Sequence, residues 1–203
     1  MERVLDSTRT LLENRPFSQI SINDICIAAD VSPSTIYARF RTKRAILEAL
    51  FDDYERRVAA LQEQLVAEFV GASDIRRAVS SLAWGWFRFL VVNDPVRRAL
   101  ATNPDTRRQN DRIIAATRGL LDTVLPGLFP HLDRRQLRGL FVAVRAAGSY
   151  IELTVEPLGR STLIDVGSTV PEQITEDVEH LIDMLAVYAE SVMNPPATVA
   201  PGD

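Results

Sequence analysis

The chain has 203 residues, of which 46% are hydrophobic and 25% are charged, and its formal net charge at neutral pH is -4. This length allows one or two domains with a substantial core. One cysteine, Cys26, excludes an internal disulfide bond and a thiolate metal cluster, and its apolar helical register favours a small buried side chain. The acidic balance argues against nucleic-acid binding unless basic residues are concentrated locally.

The N-terminus and the apolar runs do not predict membrane targeting. The segment MERVLDSTRTLLEN carries charges throughout, unlike a signal peptide. The uncharged apolar stretch AVSSLAWGWF is too short to span a bilayer and is followed by Arg88. We therefore expect a cytoplasmic protein with no membrane partner.

Helical periodicity dominates the sequence, and the alternation typical of strands is missing. A first helix ends before Pro16, because proline disfavours helix at the preceding residue. Ser21 caps a second helix over residues 22–29, and Ser32 caps a third, with Pro33 in its first turn. The apolar face of the first helix comprises Val4, Leu5, Thr8, Leu11 and Leu12.

The later helices are predicted from caps and prolines in the same way. Thr42 opens a long fourth helix, an aromatic fifth helix follows, and the motifs NDP, NP and DRRQ each begin another. Four of these helices are predicted to span about 43–70, 74–92, 133–156 and 172–193. Two more are predicted to start at 93–95 and at 103–104. The prediction is an all-α fold of about nine helices with no sheet.

Residues 22–40 have the spacing of a helix-turn-helix: two short helices with a tight turn at Asp30 and Val31. Such a turn often needs one residue with positive φ, and Asp is among the few residues other than Gly that tolerate it. Ile25, Val31 and Ile36 are spaced to form the small core between the two helices.

Basic residues follow this motif closely. Arg39, Arg41, Lys43 and Arg44 occur with no acidic residue between Asp30 and Glu48, and residues 1–50 carry seven basic and six acidic side chains. Phosphate neutralisation is local, so the cluster could contact a DNA backbone despite the acidic total. A short basic run is also commonly a solvated helix face, and the spacing alone leaves both interpretations open.

In a helix-turn-helix the second helix enters the major groove with its N-terminal residues towards the bases. Pro33, Ser34 and Thr35 are small enough for close approach, and their ring and hydroxyl groups can contact thymine methyls, base edges or phosphates. Tyr37 and Arg39 would flank that contact and reach phosphates.

The stretch ISINDICIAADVSPSTIYARFRTKRAILEAL resembles the DNA-binding signature of TetR-type (tetracycline-repressor-like) transcriptional regulators. The matching residues are Ser21, Asp24, Ile25, Ala29, Val31, Ser32, Thr35, Ile36, Tyr37, Phe40, Lys43 and Leu47. The resemblance covers about the first fifty residues and implies a regulator that binds double-stranded DNA at a palindromic operator. The DNA-binding residues that it and the spacing indicate are Ser21, Pro33, Ser34, Thr35, Tyr37, Arg39 and Lys43.

Several residues depart from that signature. Asp30 stands where the family usually has a turn glycine, Cys26 replaces an alanine, and Arg44 replaces an acid. The chain also starts inside the first helix, whereas many relatives carry a basic arm ahead of it. If that start is genuine, we expect sequence specificity to depend more fully on the third helix.

The resemblance implies a helix-turn-helix domain over 1–46 and a helical ligand-binding and dimerisation domain over 47–195. We expect the terminal segment 196–203 to be a disordered tail. It also implies a homodimer paired through the last two long helices, and a repressor released from DNA by a small, largely apolar effector. Activation instead of repression stays open. Trp86, Phe89 and Tyr150 are the candidate effector-binding residues, although an aromatic stripe is more often plain core.

Two other classes of function remain as alternatives. An enzyme is disfavoured, because the sequence has no phosphate loop, no paired metal histidines and no nucleophile with a base at recognisable spacing; we expect no catalytic residue, no metal and no cofactor. His131 and His180 suit surface or capping positions. A helical interaction module that has lost DNA binding stays open because of Asp30 and the missing arm.

Overall fold

The computed structural model describes residues 2–101, 115, 122–123, 126–127, 129–155 and 172–193. Seven α-helices are described along their whole length, with a 3-10 turn at Phe17–Gln19, and these residues contain no strand. The helices are α1 Glu2–Asn14, α2 Ile22–Ala29, α3 Pro33–Arg39, α4 Lys43–Gly71, α5 Ile75–Ala101, α6 Arg134–Val155 and α7 Glu172–Met193. The predicted all-α class and N-terminal three-helix motif are confirmed. The helix predicted to start at 103–104 lies outside the described residues.

The chain divides into two compact units. One comprises residues 1–60 with 89–115, and the other comprises 61–88 with 116–203. Both α4 and α5 therefore contribute residues to each unit. The division of function predicted near residue 46 stays a prediction.

Buried isoleucines form the centre of the first unit. Ile25 of α2, Ile36 of α3 and Ile46 of α4 are all fully buried. Thr8 is buried on α1, and its hydroxyl donates a hydrogen bond to the Val4 carbonyl 2.6 Å away. The sequence patterns predicted Thr8, Ile25 and Ile36 on apolar faces, whereas Ile46 was not singled out. The buried hydroxyl leaves no unsatisfied donor.

A carboxylate on α4 ties α1 to that helix. Asp53 pairs with Arg9 of α1 and accepts hydrogen bonds from Arg56 at 2.8 Å and Arg57 at 2.6 Å. Burial alone would raise the pKa of Asp53, but the hydrogen bond from Arg57 and the charge of Arg9 outweigh it and hold that pKa below its usual value of 3.8. The carboxylate therefore supports the α1–α4 packing while it is ionised.

The prediction that a new helix begins at residues 93–95 is wrong, because α5 continues through Pro95 to Ala101. Asp94, the predicted cap, lies inside the helix, and the Asn93 amide before it donates to the Phe89 carbonyl at 2.8 Å. Asp94, only 1% exposed, pairs with Arg97 at 2.9 Å and Arg98 at 2.8 Å. These buried interactions hold the helix together where proline removes one backbone donor.

In the second unit, α6 and α7 pack with the start of one beside the end of the other. The Asp133–Gln136 capping box is confirmed: each backbone N–H donates to the other residue's side chain at 2.8 Å. The Gln136 amide also donates to the Val192 carbonyl at 2.9 Å. The side chains of Leu140, Ile151 and Val178 are buried on these helices, whereas Val144 is exposed.

Candidate nucleic-acid interface

The turn between α2 and α3 is closed without glycine. Asp30 adopts φ 51° and ψ 54° and is the non-glycine residue with positive φ in the described part of the chain. The Asp30 N–H donates to the Ile27 carbonyl at 3.2 Å, and the Val31 N–H donates to the Cys26 carbonyl at 3.0 Å. This pair of bonds is a Schellman motif, which satisfies the last carbonyls of α2 and aims α3 away from it.

The Asp30 carboxylate itself lies on the surface, where Arg3 of α1 approaches it at 3.5 Å. Both side chains are largely exposed, so the pair contributes little stability. Its effect is to offset part of the negative charge that Asp30 brings to this face.

Hydroxyl groups cluster at the exposed N-terminus of α3. The Thr35 N–H donates to Ser32 Oγ at 3.2 Å, as an N-cap requires. Ser32 Oγ also lies 2.7 Å from Ser34 Oγ and 2.9 Å from Thr35 Oγ1. Ile36, on the opposite side of the helix from Ser34, is 1% exposed and fixes which face points to solvent.

The number of hydroxyl hydrogens in this cluster limits which hydrogen-bond donors and acceptors it can offer to a base edge. Ser32 Oγ has two lone pairs and one hydrogen, and one lone pair accepts the Thr35 N–H. The two remaining contacts therefore require that one of Ser34 and Thr35 donates to Ser32 while the other accepts from it. One outward hydroxyl then keeps a free hydrogen, and its neighbour can only accept. Such a pair suits adjacent donor and acceptor groups on base edges.

Pro33, Tyr37 and Arg39 are exposed on α3 around the cluster, and the Tyr37 side chain is 53% exposed. Arg41 and Arg44 follow and are exposed as well. The Arg44 guanidinium donates to Glu48 at 2.9 Å, so one charge of the basic run is balanced on its own helix.

Lys43, at the start of α4, is half-buried. Its ammonium lies 4.6 Å from the centre of the Phe17 ring and donates to the Ser18 carbonyl at 3.3 Å. Burial lowers the pKa of Lys43 below its ordinary value, and the charge of Asp24 partly opposes that shift. This contact joins residues far apart in sequence, and local sequence patterns do not predict it.

Ser21 is occupied as the N-cap of α2. Asp24 accepts hydrogen bonds from the Ser21 N–H at 2.7 Å and its hydroxyl at 2.8 Å, and the Asp24 N–H donates to Ser21 Oγ at 3.1 Å. The backbone bond from Ser21 is the main cause that lowers the pKa of Asp24, and Arg15, 3.5 Å away, adds to it. The predicted capping box is therefore present, with Ser21 exposed at its edge.

The three candidate effector residues have three different environments. Phe89 belongs to the first unit, where its ring centre lies 5.6 Å from that of Tyr54. Trp86 is half-buried beside Gly148 of α6. Tyr150 is 42% exposed and lines an open groove of about 590 Å³ along α6 and α7. Three alanines of α6 and the side chains of Met184 and Tyr188 are among its lining residues.

The described residues hold no group of three or more His, Cys, Asp or Glu side chains placed to bind a metal ion. Among the helices that the structure describes, none is long and apolar enough to cross a membrane.

The N-terminal part of the chain is similar to known regulators. The family model for bacterial regulatory proteins, tetR family, matches residues 4–50. The HTH-type transcriptional regulator UidR of Escherichia coli strain K12 is 31% identical over 64 residues, which are 31% of this chain and 33% of UidR. UidR of Shigella flexneri matches with the same figures. The match therefore spans about a third of the length of these curated relatives.

Solved structures resemble the chain over nearly its whole length. The transcriptional regulator FadR from Bacillus subtilis, in complex with stearoyl-CoA, covers 96% of this chain and 98% of its own, with a TM-score of 0.59 and 16% identity. A TetR-like transcriptional regulator from Rhodococcus sp. RHA1 covers 96% of each chain, with a TM-score of 0.58 and 13% identity. At such low identity the likeness shows a shared fold.

Proposed function

We propose that the protein is a repressor of the tetR family that binds a palindromic operator as a homodimer and is released by a small, largely apolar effector, because residues 4–50 match the family model for bacterial regulatory proteins, tetR family. The observation that carries the DNA-binding part is the hydroxyl cluster at the exposed N-terminus of α3. The fixed Asp30 turn presents Ser34 and Thr35 to solvent, and cations flank them.

The proposed contacts divide into two kinds. Pro33, Ser34 and Thr35 would approach base edges, because they are small and lead the recognition helix. Tyr37, Arg39 and Lys43 would contact phosphates beside them, and Ser21 would approach the backbone from the start of α2. Base contacts give specificity, whereas phosphate contacts give affinity that falls with salt.

Pairing of two chains is supported by an apolar surface on α6 and α7. Its large side chains are at least one-third exposed in the single chain, which is a high apolar density for one face. They are Val142, Tyr150, Leu153, Met184, Val187 and Tyr188. A second copy on this face would bury them. Binding of the pair to adjacent major grooves would require the two α3 helices to lie about 34–36 Å apart.

For the effector, the support is the aromatic composition of α5 and its surroundings. We propose Trp86, Phe89 and Tyr150 as the candidate residues for binding an apolar effector. FadR from Bacillus subtilis, which shares the fold, was crystallised with stearoyl-CoA; that ligand class is a reasonable first probe for this chain. A ligand would release DNA only if it binds the DNA-incompetent conformation better.

The test is selection from a random duplex library with the wild-type protein and Thr35→Ala. Enrichment of a palindrome by the wild type, with that preference altered in Thr35→Ala, supports specific readout by α3. Enrichment of a single half-site would contradict the homodimer. A helical interaction module, the second candidate suggested by Asp30 on this face, would enrich no duplex at all.

A further inference from the structure

The Lys43 ammonium, at the start of α4, is held by Phe17 and Ser18 of the 3-10 turn that precedes α2. Its Nζ lies 4.6 Å from the centre of the Phe17 ring and 3.3 Å from the Ser18 carbonyl oxygen, to which it donates. The face of an aromatic ring carries partial negative charge and attracts a cation. The long, flexible lysine side chain is thereby held near one position.

The backbone around Phe17 fixes the ring in that place. Pro16 leads into the 3-10 turn with φ -64° and ψ 149°. The Gln19 N–H donates to the Pro16 carbonyl at 2.9 Å, and the Ile20 N–H donates to the Phe17 carbonyl at 3.2 Å. Ile20 is 1% exposed and anchors the turn in the core. Ring and carbonyl therefore form a preformed seat for the ammonium.

The seat leaves the ammonium able to bind a further anion. Lysine has three N–H donors, and the Ser18 carbonyl takes one of them. Asp24 acts on Lys43 through its charge, but its carboxylate already accepts two hydrogen bonds from Ser21 and pairs with Arg15 at 3.5 Å. Lys43 is also the first residue of α4, whose free backbone N–H groups favour an anion.

We propose that Phe17 is a positioning residue for DNA-backbone binding: its ring, with the Ser18 carbonyl, holds the Lys43 ammonium in place so that its remaining N–H groups meet a phosphate. This inference rests on the proposed DNA-binding function. Its physical basis is that a lysine fixed before binding loses less side-chain freedom on contact than a mobile one.

The seat can be tested without DNA, because Lys43 is the sole lysine of the chain. Reductive methylation with ¹³C-formaldehyde keeps the charge and gives one lysine signal beside that of the N-terminal amine; Lys43→Arg identifies it by its loss. Methyl groups over a ring face shift upfield. We expect that shift in the wild type, its loss in Phe17→Leu, and its return in Phe17→Trp. Identical signals in wild type and Phe17→Leu overturn the inference.

The DNA consequence is then measured on a selected duplex with the same variants. Phe17→Leu keeps an apolar side chain and should keep the fold, which the melting temperature checks. We expect Phe17→Leu to weaken binding by about twofold to fivefold, Phe17→Trp to restore it, and Lys43→Ala with Phe17→Leu to be no weaker than Lys43→Ala alone.

The outcomes separate the inference from the function on which it rests. If Lys43→Ala weakens binding but Phe17→Leu does not, DNA binding stands and the positioning role is overturned. If the wild type binds no duplex although the methyl shift is present, the proposed function fails and the positioning role fails with it.

Discussion

The Trp84 indole N–H donates to the Glu179 carboxylate at 3.0 Å, which joins α5 to α7 inside the second unit. The same carboxylate accepts from Arg76 at 3.2 Å, and Arg76 also donates to Asp183 at 2.8 Å. The hydrogen bond to Asp183 is the main cause that raises the pKa of Arg76. Arg76 and Trp84 of α5 are thus hydrogen-bonded to side chains on neighbouring turns of α7.

We predict that Glu179→Ala lowers the free energy of unfolding by about 1–2 kcal/mol, because it leaves the half-buried indole without its acceptor. Glu179→Gln should cost less, since an amide oxygen can still accept from Trp84. Glu176→Gln, an exposed position one turn earlier on α7, is the matched control and should change little. Urea unfolding followed by tryptophan emission measures all three; equal stability of Glu179→Ala and wild type would contradict the role of this contact.

The Asp53 carboxylate makes a pH-dependent contribution to stability. Its pKa in the folded chain lies below the ordinary value of 3.8, so its stabilising effect is complete above that value and is lost as pH falls through the folded-state pKa. We therefore expect Asp53→Asn to be less stable by about 1–3 kcal/mol at pH 7, with the difference from wild type shrinking below about pH 4.

Denaturant melts between pH 7 and pH 2.5 measure this difference. Asp52→Asn, at the exposed neighbouring position, controls for the general effect of removing one acidic group. A wild-type advantage over Asp53→Asn that stays constant down to the lowest pH would show that the cluster does not stabilise the fold through its charge.

The turn residue Asp30 combines a backbone effect with a charge effect, and two substitutions separate them. Asp30→Asn tolerates the left-handed conformation and removes the charge, so it should tighten DNA binding with little change in stability. Asp30→Gly should tighten binding similarly and also stabilise the fold by up to about 1 kcal/mol. Asp30→Ala should destabilise it, because alanine lacks that tolerance.

Thermal melts and DNA titrations at fixed salt measure the two effects. If all three variants bind DNA as weakly as wild type, Asp30 lies outside the DNA face and the proposed orientation of α3 is wrong.

Gly139 allows Tyr188 to lie against α6. A Cβ at position 139 would come within 2.4 Å of the Tyr188 hydroxyl oxygen, whereas the next ring atom is 3.6 Å away. Gly139→Ala should therefore displace the tyrosine and weaken the proposed pairing of two chains by about twofold to tenfold in dissociation constant. Tyr188→Phe removes the clashing oxygen, so the double variant should recover most of that loss.

Sedimentation equilibrium of the two single variants and the double variant gives the coupling between the positions. Purely additive effects would indicate that Tyr188 moves aside without cost. A protein that stays a single chain at every concentration would instead contradict the homodimer.

Much of the fold follows from local sequence. The caps at Ser21, Ser32 and Thr42, and the left-handed Asp30, depend on residues within four positions of each other, and the structure has them as the sequence predicts. Helix boundaries that such signals mark, including Glu172–Met193, were also predicted well.

What sequence reasoning missed depends on residues distant in the chain. The residues Asn93 and Asp94 before Pro95 predict a helix start, but burial of Asp94 beside two arginines overrides the capping preference. The hydrogen bond from Trp84 to Glu179 joins residues 95 positions apart, and no local pattern marks it. The Lys43 contact with Phe17 likewise carries no local pattern. Periodicity identifies faces of helices, and it cannot say which distant side chain meets them.

The most direct test of DNA recognition by α3 and its flanking cations is the salt dependence of affinity for a selected duplex. Wild type, Lys43→Ala and Arg134→Ala are compared, the last removing an equal charge at an exposed position on α6. We predict a steep fall of log affinity with log salt, a slope smaller by about one unit for Lys43→Ala, and a wild-type slope for Arg134→Ala. Equal slopes for all three, or a flat wild-type response, would contradict phosphate binding at this face.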